Sequence, residues 1–360
     1  MLRVRPSLGL MVVGALGAQL APGHSALEAQ APERHTVSGQ AVAIYNLVGR
    51  VTVSGGSGSD VAVEVSRRGA DGDQLQIQTG SIENHDRRWE SLRVVYPADR
   101  IVAPDLGSRS RTRLKVRSDG TFGDAGRTRG EEITIAGSGR GMRASADLAI
   151  TIPEGKRVGV YLAVGEVTVS NVNGDLEVDV ARASVSASDV TGSLNVDTGS
   201  GEVDIRRVEG DLMVDTGSGG ITIVGMRGDR FSAETGSGGV EGSTIAAQSV
   251  DAETGSGDIM LRDVTTPRAS IETGSGNVTL GLTRATDVLT IETGSGDVEI
   301  RMPGDLSAQI DFETGSGEIE TDFPVTVRRH SRDHVRGQIG DGAGRIQIET
   351  GSGDVRLLRN

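Results

Sequence analysis

Acidic residues recur at two fixed places along the second half of this chain. Asp197, Asp215, Glu234, Glu253, Glu272, Glu292, Glu313 and Glu349 each stand just before a Thr-Gly-Ser-Gly tetrapeptide, and Asp258, Asp297, Glu318 and Asp354 each stand just after one. If the copies stack in register, each set becomes a column of carboxylates one strand spacing apart. Two unit charges ~4.8 Å apart repel by roughly 0.9 kcal/mol even in bulk water. Two kinds of ligand suit such columns: Ca²⁺, which takes oxygen ligands, and a cationic partner such as a basic peptide. The bland alternative is a solvated face screened by salt. Arg206, Arg262 and Arg301, each eight residues after the motif threonine, are candidates to offset part of the charge.

Other chemistry finds little support. No histidine lies beside any Thr-Gly-Ser-Gly copy, and a serine without a base is a turn residue rather than a nucleophile. His330 and His334 have the spacing of a metal pair on a helix. Their surroundings, Arg328, Arg329, Arg332 and Arg336, repel a cation, so no metal site is expected. Elongated β-helices include polysaccharide-active enzymes, which need convergent acids and sugar-stacking aromatics. Here the acids are spread regularly, Trp89 is the one tryptophan, and Tyr45, Tyr96 and Tyr161 are scattered. The chain reads as a non-enzyme, with no catalytic residue and no cofactor.

The elements that must position the acidic residues follow from the repeat. The motif begins at Thr198, Thr216, Thr235, Thr254, Thr273, Thr293, Thr314 and Thr350, with intervals of 18, 19, 19, 19, 20, 21 and 36 residues. A constant short period means one small unit stacked on itself. Before each motif, apolar and polar residues alternate, as in Ala269/Ile271/Thr273 and Leu289/Ile291/Thr293, which is the pattern of a half-buried strand. A second alternation follows, as in Ile259/Leu261 and Val298/Ile300. Glycine serves the corners, where positive φ or close backbone approach is needed. The expected fold is all-β: a parallel β-solenoid of coils about 19 residues long, with an irregular amino-terminal β region. A stack of antiparallel hairpins is the rival. The 36-residue interval predicts one degenerate coil, with the His330–His334 segment as a loop protruding from it. The inward threonines predict hydrogen-bonded columns.

Residues 1–31 have the basic start, short apolar stretch and small residues of a secretory signal peptide, so the chain is expected to be exported. It has no cysteine, hence no disulfide and no thiol chemistry. Residues 161–360, the expected solenoid, carry 33 acidic and 16 basic residues, which disfavours nucleic acid as a partner. Residues 32–160 carry 16 acidic and 19 basic residues. Strand candidates there are Ala41–Tyr45, Gly49–Val53, Val61–Val65, Ser91–Val95 and Asp147–Pro153. Between Arg100 and Arg143 an Arg/Gly/Ser-rich stretch predicts a loop with one short strand at Leu114–Val116. It reads either as a solvated loop or as an anion-binding arm.

The segments Ala43-Ile44-Tyr45-Asn46-Leu47-Val48-Gly49, Arg93-Val94-Val95-Tyr96-Pro97 and Val160–Val167, with the Glu-Thr-Gly-Ser-Gly-Asp-Val copies, resemble a bacterial family of β-strand-repeat, adhesin-like proteins. The resemblance spans nearly all of the chain beyond residue 31, and the tetrapeptide repeat is its specific part. It implies an exported β-solenoid and carries over no functional residue. Some relatives are linked to cell-envelope stress and cationic antimicrobial peptides. The expected partner is therefore a cell-surface or envelope component, a cationic peptide among them.

Overall fold

The computed structural model describes residues 32–360 apart from 85–86, 104–106 and 124–129. The signal-like segment 1–31 lies outside the described residues. The described residues belong to one compact unit.

Each coil has two main walls. The first is built from the strands that end in the motif threonine, such as Arg230–Thr235, Ser249–Thr254 and Arg268–Thr273. The second is built from the strands that follow the motif, such as Val240–Ala246 and Ile259–Thr265. Every strand pairs in parallel with its equivalent one coil away: Thr235 lies against Thr254, Thr254 against Thr273, and Val240 against Ile259. Parallel pairing rules out the hairpin stack. On the first wall Phe231, Ala233, Val250, Ala252 and Ile271 turn inward and are buried, while Ser270 and Glu272 face out. On the second wall Val240, Ile259 and Leu261 do the same. Burying both inner faces against each other is what two short strands cannot do without stacking.

The corners explain the tetrapeptide. A Cβ placed on Gly236, Gly255 or Gly274 would sit 2.6, 2.5 or 2.5 Å from the carbonyl oxygen of the matching glycine one coil below. The second glycine of each motif is closer still to its counterpart, at φ values of +149 to +159° for Gly238, Gly257, Gly276 and Gly296. Backbone rests directly on backbone, which no side chain permits. The buried threonines then bond not to one another, as the sequence suggested, but to these corners. Thr235 Oγ1 donates to the Gly219 carbonyl at 3.1 Å, Thr254 Oγ1 to Gly238 at 2.9 Å and Thr273 Oγ1 to Gly257 at 3.1 Å. Thr216 Oγ1 has no partner among the described residues.

The carboxy-terminal order differs from expectation. The strand Gly344–Thr350 pairs in parallel with Val288–Thr293 on one side and Ala308–Thr314 on the other. The last coil in sequence is therefore inserted between the two that precede it. No degenerate coil fills the 36-residue interval. Instead Thr326–His330 and His334–Ile339 form an antiparallel hairpin whose second strand covers Ala308–Thr314. The segment expected to protrude as a loop is a cap on an otherwise open edge. Insertion is feasible because all motif corners are alike: Gly353 stacks on Gly296, and Gly317 stacks on Gly353.

At the other end, Lys156–Thr191 is one continuous run pairing with Ala41–Gly56 and with the following coils. Antiparallel strands Glu33–Val37 and Val61–Arg68 add to the sheet there. Asn46, buried in the Ile-Tyr-Asn-Leu-Val-Gly motif, donates to the Val48 and Ala146 carbonyls and accepts from the Tyr96 hydroxyl at 2.9 Å. Tyr45 stacks on Tyr161 with 4.3 Å between ring centroids. The Arg/Gly/Ser-rich stretch is more ordered than expected. Arg111–Val116 extends the short strand, and with Arg100–Val102 and Glu131–Ala136 it makes a three-stranded sheet.

If corner contact sets the stacking, Gly255→Ala costs about 2 kcal/mol or more, as steric overpacking does, whereas Gly304→Ala, with open space around its Cβ, stays within about 0.5 kcal/mol. Urea denaturation midpoints of the two variants check this; equal midpoints would contradict it.

Candidate functional site

The parallel register turns the pre-motif acids into a continuous column. Along the stack the order is Asp179, Asp197, Asp215, Glu234, Glu253, Glu272, Glu292, Glu349 and then Glu313, with adjacent members paired directly in register. The eight residues from Asp197 onward are exposed, and none of them forms an ion pair with another described residue. Asp179 escaped the sequence reading because no tetrapeptide follows it. The inward alternation Leu176/Val178/Val180 was the signal that marks it. At Asp197 burial acts together with this crowding. Partial burial, then the neighbouring Asp215 and Glu177 charges, hold its carboxyl above the usual aspartate range.

The post-motif acids do something different. Asp258 Oδ1 accepts the backbone N–H of Asn277 one coil on, at 2.7 Å. Asn277 Oδ1 accepts from Asp297 N at 2.9 Å, Asp297 Oδ1 from Asp354 N at 2.8 Å, and Asp354 Oδ1 from Glu318 N at 3.0 Å. Each side chain satisfies an N–H of the neighbouring coil at the corner. Asp211 does the same at the other glycine corner, accepting from Arg230 N at 3.0 Å. The second column is thus a hydrogen-bond ladder in which Asn277 serves as well as Asp.

The arginines do not neutralise the first column. Arg206 pairs with Asp204 at 2.9 Å and Arg301 with Glu299 at 2.9 Å, both along their own second-wall strands; Arg262 is exposed on the same wall. Exposed Arg230, Arg268 and Arg345 stand at the start of first-wall strands on the outward face, and the hairpin cap brings two further basic groups there. His334 Nε2 lies 2.8 Å from Asp311 Oδ1 and Arg336 Nε 3.7 Å from Oδ2 of the same carboxylate. His334 is opposite Glu313 in the strand register. Among the described residues no three acidic or histidine side chains converge into a group that could hold a metal ion. The column acids stand in line rather than around a centre, a poor fit to the six to eight oxygens of Ca²⁺.

Parallel coils, backbone-stacked corners and two walls enclosing a thin aliphatic core define a β-solenoid. The chain belongs to the Toastrack DUF4097 family, whose model matches residues 106–358. The resemblance read from the repeat therefore holds at the level of the family, although Ala43–Gly49 and Arg93–Pro97 precede the matched span. No curated protein matches the chain. Among solved structures, a putative cell adhesion protein from Clostridium sporogenes aligns at 9% identity over 91% of this chain and 100% of its own, with a TM-score of 0.21. A superposition that loose bears on neither fold nor function. No helix among the described residues is long and apolar enough to cross a membrane.

The ladder has a direct test. Asp258→Asn keeps the acceptor and should leave stability unchanged, while Asp258→Ala orphans Asn277 N–H and should cost about 1 kcal/mol. Matching denaturation midpoints for the two variants would assign the carboxylate no structural role.

Proposed function

We propose that this chain is an exported, non-enzymatic binding or scaffold protein of the cell envelope or surface, and that the first-wall column is its contact face for a cationic peptide. One observation carries the reading. Eight exposed carboxylates at one strand spacing form no ion pair with another described residue, although the chain pairs acids elsewhere, as at Asp204 and Glu299. Stacking like charges costs energy that a bound polycation returns. Where Asp311, an outward acid of this wall, meets His334 and Arg336, a basic strand is laid alongside it. A basic segment of a partner engages the remaining acids in the same manner. The line of acids favours an extended, multiply charged partner over a single ion, because among the described residues no small cluster encloses a centre. A regular array without a unique acid–base pair also fits binding better than turnover.

A short oligo-lysine peptide is the probe. Its affinity should fall steeply as salt is raised, and Glu234→Gln, Glu253→Gln, Glu272→Gln and Glu292→Gln together should weaken it by about tenfold or more. The control is removal of charge from Asp204, Glu241 and Glu299 on the second wall. An equal loss there would mean that net charge, and not the column, attracts the peptide.

A further inference from the structure

The second wall bends once in each of six successive coils, at a residue with left-handed backbone. Asn171, Asp189, Arg207, Thr244 and Asp263 have φ between 53° and 58°, and Gly225 has φ 78°. The strand register skips Asp189, Arg207, Gly225 and Thr244, pairing the residues on either side of each. Non-glycine residues pay for this conformation, Thr244 most of all as a β-branched residue. Stacked in line, the bends form one ridge of a groove of about 750 Å³. The other ridge is the next row of outward residues, among them Thr191, Glu209, Arg227, Ala246 and Thr265. The floor is the backbone of Val190, Val208, Met226 and Ile245, whose side chains are buried in the core.

Three properties of this groove restrict what it can hold. Its ridges carry hydrogen-bonding groups on both sides, amide, hydroxyl, carboxylate and guanidinium, at a spacing of about 4.8 Å per coil interrupted at Gly225 and Ala246. Its charges nearly cancel, unlike those of the chain as a whole, which has a net charge of -13. Asp189 and Arg207 are joined by two bonds of 2.6 and 2.8 Å, and Glu209 and Arg227 stand on adjacent coils with opposite sign. Its length runs along the stack, across successive coils. An extended polypeptide advances about 3.3 Å per residue and falls out of step with the coils. A β-1,4-linked pyranose ribbon advances by slightly more than one strand spacing per sugar and presents hydroxyls along both edges.

We propose that this groove binds an uncharged, ribbon-like β-linked polysaccharide of the cellulose or chitin type, lying along the stack with one sugar per coil. No aromatic side chain lines the groove, so each sugar is held by hydrogen bonds alone and the affinity grows with chain length. The site is separate in residues and in chemistry from the acidic column, so either can fail without the other.

The test is calorimetric titration of the full chain with cello- and chito-oligosaccharides of two to eight sugars. The expected result is an affinity that rises with each added sugar and levels off near six. Ala246→Trp, which fills the middle of the groove, should weaken the longest ligand by about tenfold. Arg227→Ala removes an exposed ridge donor with no ion pair among the described residues, and should weaken it several-fold with an unchanged melting temperature. It keeps the proposal testable if the tryptophan disturbs the coil. The column glutamine variant should bind the sugars as the parent does. No binding of either eight-sugar ligand, an affinity independent of length, or an Arg227→Ala variant that binds as the parent does would overturn the proposal.

Discussion

The structure depends on one contact: the corner of each coil lies with its backbone against the backbone of the corner below. The carbonyl oxygens of Gly217, Gly236 and Gly255 occupy the space where a side chain on the next coil would begin. This allows only glycine at two of the four motif positions. It also fixes the register, because a shift by one residue would bring a side chain onto the contact. The carbonyls of the second motif glycines, such as Gly238 and Gly257, meet the next coil in the same way and also accept the buried threonine hydroxyls, so the polar group that the core encloses is satisfied by the contact that positions it. Once the corners are locked, every strand has its equivalent as a neighbour, and any outward residue type is copied into a column.

That copying sorts the acidic residues into two kinds. At the corner, where the strand ladder breaks, a carboxylate reaches the next coil's N–H and is consumed in holding the stack, as at Asp258, Asp297 and Asp354. On the flat wall the ladder is complete, so the carboxylates have no such work, and they face solvent as a line of like charge. Position relative to the corner, not residue type, decides which acids are free to meet a partner. The bends of the second wall follow the same logic, turning one left-handed residue in each of six successive coils into a ridge.

Period-two alternation, corner glycines and inward threonines made the solenoid legible in the sequence, and with it the outward column from Asp197 to Glu349. The order of coils was not legible. The corners at Gly296, Gly317 and Gly353 are chemically equivalent, so sequence order alone cannot say that Gly353 lies between the other two. The bends were hidden because Asn171, Asp189, Arg207, Thr244 and Asp263 share a backbone conformation but no residue type. The corner role of Asp258 was hidden because a ladder acid and a free acid look alike without the third dimension. The sheet formed by Arg100–Val102, Arg111–Val116 and Glu131–Ala136 lacks the repeat that guided the rest.

The most direct measurement exploits the absence of cysteine from the chain. Serines at equivalent motif corners, replaced in pairs by cysteine, report which coils are neighbours, because a disulfide needs Cα atoms within about 7 Å. Gly296 N bonds to the Ser352 carbonyl at 2.9 Å, placing that corner next to the one that holds Ser295. Ser295→Cys with Ser352→Cys should therefore cross-link readily on oxidation, and Ser295→Cys with Ser316→Cys should not. Efficient cross-linking of the second pair and none of the first would mean that the coils stack in sequence order. It would contradict the corner register that sets the carboxy-terminal end of the acidic column.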